Sequence, residues 1–323
     1  MTFLQMHLLI IILAYILDLV FGDPYAFPHP VRFIGKLTRL VEKQVRKHMK
    51  KGLSLKIGGG ILWLVVVGTT YFMVYGIVKV SQGQPLIYIT TNTLLIYTTL
   101  ATKCLKDEAV KIYQTLCTGS LEASRMQLSF IVGRDTTELS EKEIIRATVE
   151  TVAENTVDGI IAPLLYAFIG GAPLAFAYKA INTLDSMVGY KNEKYKDIGF
   201  VSAKMDDVAN FIPARITSIL MMLASFLLGL DARASIKIAI RDRKNHKSPN
   251  CAYPEGSVAG ALGVQLGGTN TYFGEVMHKP TIGDARRAIE NEDILRTNKL
   301  MYGTSLVALV VFSLGYYLIS LIV

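Results

Sequence analysis

Three carboxylates, Glu150, Glu154 and Asp158, recur at four-residue intervals in the stretch ETVAENTVDGII, and twenty uncharged residues follow the last of them. On a helix, Glu143, Arg146, Glu150, Glu154 and Asp158 share an arc of roughly 120°. Ile145, Val149, Val152, Thr156 and Ile160 fall opposite, so one face is acidic and the other apolar. Like charges at this spacing cost a few tenths of a kcal/mol each. A cation is therefore expected against the acidic face: a divalent metal, a substrate ammonium or lysines from another segment. Simple solvation of the carboxylates is the plainer alternative.

A second stretch, YKAINTLDSMVGYKN, carries Lys179, Asn182, Asp185, Ser186 and Gly189 on one arc and Ala180, Ile181, Leu184, Met187 and Val188 on the other. Lys179 and Lys191, the latter followed by Asn192, offer point charges to a phosphate. DDVANFIPAR then supplies Asp206, Asp207, Asn210 and Arg215. Arg215 lies in an apolar run, where a guanidinium is expensive and is expected to be functional or paired, with Asp207 as the structural partner. GDPYAFPHPVRFIGKL combines Asp23, His29 and Arg32 with three prolines, which predicts a stiff turn. RDRKNHKSPNCAYPEG contains His246, Ser248, Asn250 and Glu255. His29 and His246 are candidates for proton transfer.

No HExxH, no Cys/His zinc spacing, no GxxxxGK[ST], no GxGxxG after a strand and no GxSxG occurs, so a bound nucleotide needs an unfamiliar arrangement. Cys104, Cys117 and Cys251 form no paired framework and read as free thiols.

The elements that carry these residues are membrane helices. The chain has 323 residues, 51% hydrophobic and 19% charged, too apolar for an ordinary soluble domain of this size. Runs long enough to cross the bilayer are expected at about 3–21, 57–78, 80–102 and 300–323. Two further apolar segments, about 159–178 and 208–230, contain Pro163, Gly170, Gly171, Pro173, Pro213 and Arg215, and are expected to be broken or re-entrant. The expected fold is all-α: a single polytopic helical membrane domain with broken or re-entrant helices and cytoplasmic helical segments. Residues 103–146 read as one such polar layer. In 231–299, Asp284 reads as the N-cap of an amphipathic helix leading into the last span.

Charge placement sets the orientation. Residues 22–56 hold nine Lys or Arg against Asp23 and Glu42, which puts this loop in the cytoplasm. A re-entrant reading of the two broken segments keeps 179–207 on the cytoplasmic side, matching the polar chemistry of its neighbours. The net charge of +8 is thus a membrane signature; no RNA-binding signature or aromatic-interleaved basic stripe accompanies it, and no nucleic-acid partner is expected.

Five blocks in order carry a resemblance: GDP with HPVRFIGKL, ETVAENTVDGIIAPL, KAINTLDSMVGYKN, DDVANFIPAR, and HKSPN followed by AGALGVQLGG. From Asp18 to about Tyr302 the chain resembles the adenosylcobinamide-phosphate synthase family of cobalamin biosynthesis. It departs after SPN, where Cys251, Ala252 and Tyr253 stand in place of a Gly and often a Trp. The resemblance implies a multi-pass ligase of the cell membrane, its active site facing the cytoplasm. It would join the free propionate of adenosylcobyric acid to the amine of aminopropanol phosphate, with ATP and Mg. Assembly as a homo-oligomer is compatible with it.

Set on that reaction, Glu150, Glu154 and Asp158 are expected to hold Mg-nucleotide or receive the substrate ammonium, with Asp185 as a further ligand or base. Lys179, Lys191, Arg215 and Arg32 are expected to neutralise phosphates. Asp23, Asn182, Asn192, Asp207, Asn210, Ser248 and Asn250 complete the expected substrate contacts. A secondary transporter would share the broken helices but needs a path through more spans. A membrane prenyltransferase would show two NDxxDxxxD-like blocks, which NTLDSM and MDD do not match.

Overall fold

The structure, a computed structural model, describes residues 2–23, 29–272 and 274–321. The predicted stiff turn falls largely on 24–28, outside the described residues. Helices make up the fold apart from one β-hairpin. Where one membrane-integral domain is expected, the chain forms two compact units: the first comprises 1–101, 162–210 and 312–323, the second 102–161 and 211–311.

In the first unit, α1 (Phe3–Phe21) opens on a capping box in which Thr2 and Gln5 satisfy each other's backbone N–H groups. The basic helix α2 (Pro30–His48) starts on Pro30, with the His29 imidazole as its N-cap, and ends on Arg46, Lys47 and His48, the charge order its dipole favours. α3 (Gly52–Ser81), whose only charges are Lys56 and Lys79 near its ends, is long and apolar enough to cross a bilayer, as is α1.

The apolar run at 80–102 does not form the expected span. Gln82, Gly83 and Gln84 make a turn, Pro85 starts a new helix, and α4 (Pro85–Tyr97) stops at Thr98 and Thr99, whose hydroxyls bond back to Leu95 and Ile96 carbonyls. Its 13 residues reach only about 20 Å. Hydropathy hid a break that turn chemistry announces.

α8 (Ala162–Val188) is broken as expected, and the break is a reversal. Gly171 takes φ 64° and ψ −160°, a conformation open to glycine almost alone. The Tyr166 and Tyr178 rings stack at 5.0 Å. Twelve residues apart on a straight helix they would be separated by about 18 Å, so the two halves fold back on each other at Gly170–Gly171. α9 (Phe200–Ala209) completes this unit together with the tip of the last helix.

In the second unit, α5 (Thr102–Thr118), α6 (Leu121–Ser129) and α7 (Glu141–Thr156) form the expected polar helical layer, α7 beginning on a Ser140–Glu143 capping box. A π-turn, Val157–Ile161, follows α7 directly. α10 (Phe211–Leu227) carries Pro213 in its first turn, where a missing N–H does no harm. The remainder is α11 (Ala232–Arg241), α12 (Ala252–Leu262), buried except at Tyr253, the antiparallel strands β1 (Leu266–Tyr272) and β2 (Glu275–Ile282), and α13 (Glu292–Ser320).

One expectation for 231–299 fails. The segment contains the hairpin, and Asp284 caps no helix: its carboxylate is taken by Arg241 at 2.8 and 3.1 Å, and α13 begins at Glu292. Four helical stretches are long and apolar enough to cross a membrane, namely α1, α3, Glu141–Val188 and α13, or five if α9 and α10 form one broken span. The protein reads as a multi-pass membrane protein.

Candidate functional site

The acidic helix acquires its counterions from segments that carry no periodic signal. Glu150, 4% exposed, lies on α7 with Oε2 accepting from the Arg134 guanidinium at 2.7 Å and Oε1 from the Gly267 N–H at 2.8 Å. Arg146 Nε stands 3.8 Å from Oε1. Gly267 can make that contact because it and Gly268 adopt φ of 77° and 86° at an irregularity in the β1 register, turning an N–H off the ladder. A Cβ on Gly267 would lie 2.6 Å from the Pro280 carbonyl. Arg134 also donates to Asn270 Oδ1 at 2.7 Å, and Asp135 accepts from Gly274 N–H, which ties the hairpin to the helical layer.

Glu154, one turn on, accepts from the Cys251 thiol at 2.9 Å. Burial, with Glu154 and Glu255 adding to it, pushes the Cys251 thiol up, so it stays a protonated donor. Glu255 on α12 is raised well above the usual carboxylate range, first by burial and then by Glu150 and Glu154, with Lys279 and Arg134 opposing. Burial beside Glu150 and Glu154 thus favours its protonated form. Burial and then Lys279 lower the His246 imidazole, with Glu154 and Glu150 pulling the other way. Its Nδ1 accepts from the Ser248 N–H at 3.0 Å and its Nε2 lies 3.3 Å from Lys279 Nζ, so both ring nitrogens are engaged within the chain.

Glu150, Asn245, His246, Glu255, Gly267, Asn270, Lys279, Pro280 and Ile282 enclose a cavity of about 10 Å³, room for one water. Beside this cluster, the Ser248 hydroxyl accepts from Asn250 N–H at 3.3 Å, and Asn250 Oδ1 accepts from Arg215 at 3.1 Å. The Arg215 guanidinium also donates to the Phe211 carbonyl and lies 3.4 Å from the Phe211 ring centre and 4.5 Å from that of Tyr253. Aromatic faces and an amide hold this arginine.

Asp158 departs from the predicted stripe. The π-turn inserts a wider step after Thr156, so 100° per residue no longer applies there. Among the described residues no group of three His, Cys, Asp or Glu side chains converges on a metal position. The oxygens of Glu150 are already held by Arg134 and Gly267. The expected three-carboxylate Mg site at Glu150, Glu154 and Asp158 therefore does not fit the residues present.

The remaining predicted residues lie in the first unit. His29 Nδ1 accepts from Val31 N–H and its Nε2 is 3.3 Å from Asp23, so this imidazole caps α2; Arg32 is exposed on the first turn. Lys179, Asn182 and Asp185 share the second half of α8. Lys191 is exposed in the loop beyond, where Asn192 accepts from Tyr195 N–H and shapes a turn. Asp207 pairs with Lys204 at 3.4 Å. Its neighbour Asp206 points inward and accepts from Asn210 at 3.1 Å, and Asn210 accepts from the Tyr178 hydroxyl at 2.9 Å. The sequence reading gave no role to Arg134, Cys251, Glu255, Asn270 or Lys279 and did not show that Asp206 faces inward; of these, Cys251, Glu255 and Asp206 lie within stretches it had singled out.

A family model described as CobD/Cbib protein matches residues 11–301. "Cobalamin biosynthesis protein CobD" of Listeria monocytogenes serotype 4b is 53% identical over 95% of this chain and 97% of its own. "Cobalamin biosynthesis protein CbiB" of Salmonella arizonae is 52% identical over 93% of this chain and 94% of its own, and a Klebsiella pneumoniae protein named like the first is 51% identical over 98% and 99%. No solved structure matches the chain. With a family model spanning most of its length and relatives above half identity end to end, the chain belongs to the CobD/CbiB family.

Proposed function

We propose that this protein makes adenosylcobinamide phosphate, by forming an amide between the free propionate of adenosylcobyric acid and the amine of aminopropanol phosphate at the cytoplasmic face of the cell membrane. The relatives named as cobalamin biosynthesis proteins support a role in that pathway. The observation that carries the finer reading is a convergence in the second unit. Three separate blocks meet there: Glu150 and Glu154 from the acidic helix, His246, Ser248, Asn250 and Cys251 from HKSPNC, and Arg215 from DDVANFIPAR.

A carboxylate does not acylate an amine at neutral pH until one oxygen becomes a leaving group. The reading therefore includes transfer of the ATP terminal phosphoryl group to the propionate, giving an acyl phosphate and ADP; the neutral amine then displaces inorganic phosphate. Residues of this chain would position and neutralise. Arg215, locked by two rings and Asn250, is a preorganised cation for a phosphate or the propionate. Glu154, which accepts from the Cys251 thiol, is the candidate to take a substrate proton. Glu150 and Glu255 hold that wall in place. No step is assigned to magnesium, since the residues present do not form its site.

Purified protein in detergent, supplied with adenosylcobyric acid, Mg-ATP and aminopropanol phosphate and with each omitted in turn, tests the reading. Corrinoid phosphate is expected only with all three present. Product without ATP would remove the acyl-phosphate route, and no product under any condition would remove the amide-forming function.

A further inference from the structure

α2 carries two opposed faces. At about 100° per residue, Ile34, Thr38 and Val45 share one arc and are buried, while Phe33, Lys36, Leu40, Lys43 and Lys47 fall within about 80° on the other side. All five residues of this second stripe are exposed, Phe33 by 60% and Leu40 by 62%, and Arg39 beside them is exposed as well. We propose that the stripe docks on the anionic phospholipid headgroups of the leaflet at which α3 enters the bilayer.

The charge of the stripe is not answered by the chain. Glu42, the only acid in α2, falls outside the stripe and is taken by Arg46 at 2.8 Å. Arg46 is itself tied down, donating to the Lys194 carbonyl at 2.8 Å and lying over the Tyr195 ring. Lys36, Arg39, Lys43 and Lys47 form no ion pair among the described residues. The Lys36 ammonium stands 5.5 Å from the centre of the Phe33 ring, so cation and apolar surface are presented together.

The position of the stripe selects the partner. α2 and α3 belong to the same unit, and the last turn of α2 rests on the second turn of α3: a Cβ on Gly58 would lie 2.5 Å from Val45 and 2.7 Å from Met49. The basic helix is thereby held where a span meets the headgroup layer, within reach of the field of anionic lipids. From Phe33 to Lys47 the stripe runs about 21 Å, a row of cations and not a pocket for one small phosphate. Phe33 and Leu40 sit among the lysines. A headgroup layer offers phosphates to the ammonium groups and acyl carbons just beneath to the apolar side chains, whereas a soluble phosphate ester offers only the first. Each lysine beside such a surface favours the anionic lipid by about fivefold.

An indole placed on the stripe reads the contact. Trp63 is the one tryptophan of the chain and its indole N–H has no hydrogen bond, so Trp63→Phe removes the background, and Leu40→Trp puts an indole at an exposed position. Full-length protein with both changes is reconstituted into vesicles of equimolar phosphatidylcholine and phosphatidylglycerol, one lipid or the other brominated on its acyl chains near the glycerol. Brominated phosphatidylglycerol is expected to quench the indole at least about twofold more than brominated phosphatidylcholine. Lys36→Gln, Lys43→Gln and Lys47→Gln together are expected to abolish the difference at unchanged melting temperature, and Arg at the same three positions to keep it. An indole that neither lipid quenches, equal quenching by the two, or a difference that survives the Gln changes overturns the proposal. So does a difference that inorganic phosphate or ATP removes at constant ionic strength, which would assign the stripe to a soluble phosphate.

Discussion

Glu150 and Asp206 are both carboxylates drawn inward beside other acids, and the fold treats them oppositely. Glu150 meets Arg134, Arg146 and the Gly267 N–H, so its charge is compensated by the chain itself. Asp206 meets Asn210, Asn182 and two further acids, with one oxygen left unsatisfied. The first is scaffold, and the second keeps a carboxylate oxygen that the fold leaves without a hydrogen bond. A carboxylate in a cleft says little about function until its counterions are found, because ion pairing converts it into structure.

The sharpest way to break this comparison is to remove each charge and read stability. Glu150→Ala leaves two arginines facing a void and is expected to cost about 3–5 kcal/mol, seen as a large drop in melting temperature in detergent. Equal melting to wild type would mean the Arg134 contact is not structural. Asp206→Asn is expected to act in the opposite direction, raising stability by about 1 kcal/mol because it removes a buried carboxylate oxygen that lacks a hydrogen bond and keeps the Asn210 contact. A destabilised variant would show that Asp206 already has its cation.

A smaller effect sharpens the same contrast from the neutral side. Glu255 has its folded value raised, so the folded protein holds a proton that the unfolded chain releases above its ordinary value of about 4.3. The stability this contributes is complete below that ordinary value and is lost as pH climbs through the raised one. Wild type is therefore expected to lose melting temperature relative to Glu255→Gln as pH increases across this window. Parallel melting curves for the two proteins over the same range would refute a neutral Glu255.

Much of this architecture is readable before folding, for identifiable reasons. α1 and α3 are apolar without turn residues, and the acidic helix is legible because its Ser140–Glu143 start and its 3.6-residue pattern agree. The Gly170–Gly171 break is legible as a break, although only the Tyr166–Tyr178 stack shows that the chain reverses. Hydropathy alone misleads at 80–102, where Gln82–Pro85 outweighs the flanking apolar residues. The hairpin is hidden because Gly267 and Gly268 interrupt the alternation that marks a strand.

The site is less legible than the fold. The partner of Glu150 is Arg134, in a loop whose sequence repeats nothing, and pairing across sequence leaves no local trace. Asp206 and Asp207 differ on a helical wheel by one 100° step, and the packing of α9 against α8 decides which of them faces inward. The π-turn at Val157–Ile161 defeats any wheel drawn through Asp158. Each miss arises where a tertiary contact, not the local pattern, sets the direction of a side chain.

One comparison tests the central claim most directly: the yield of adenosylcobinamide phosphate from wild type and from Glu154→Gln, purified alike and given all three reactants. Glu154 forms no ion pair among the described residues, so its loss is expected to lower turnover about a hundredfold or more with melting temperature little changed. Near-equal turnover by the two proteins would contradict the account.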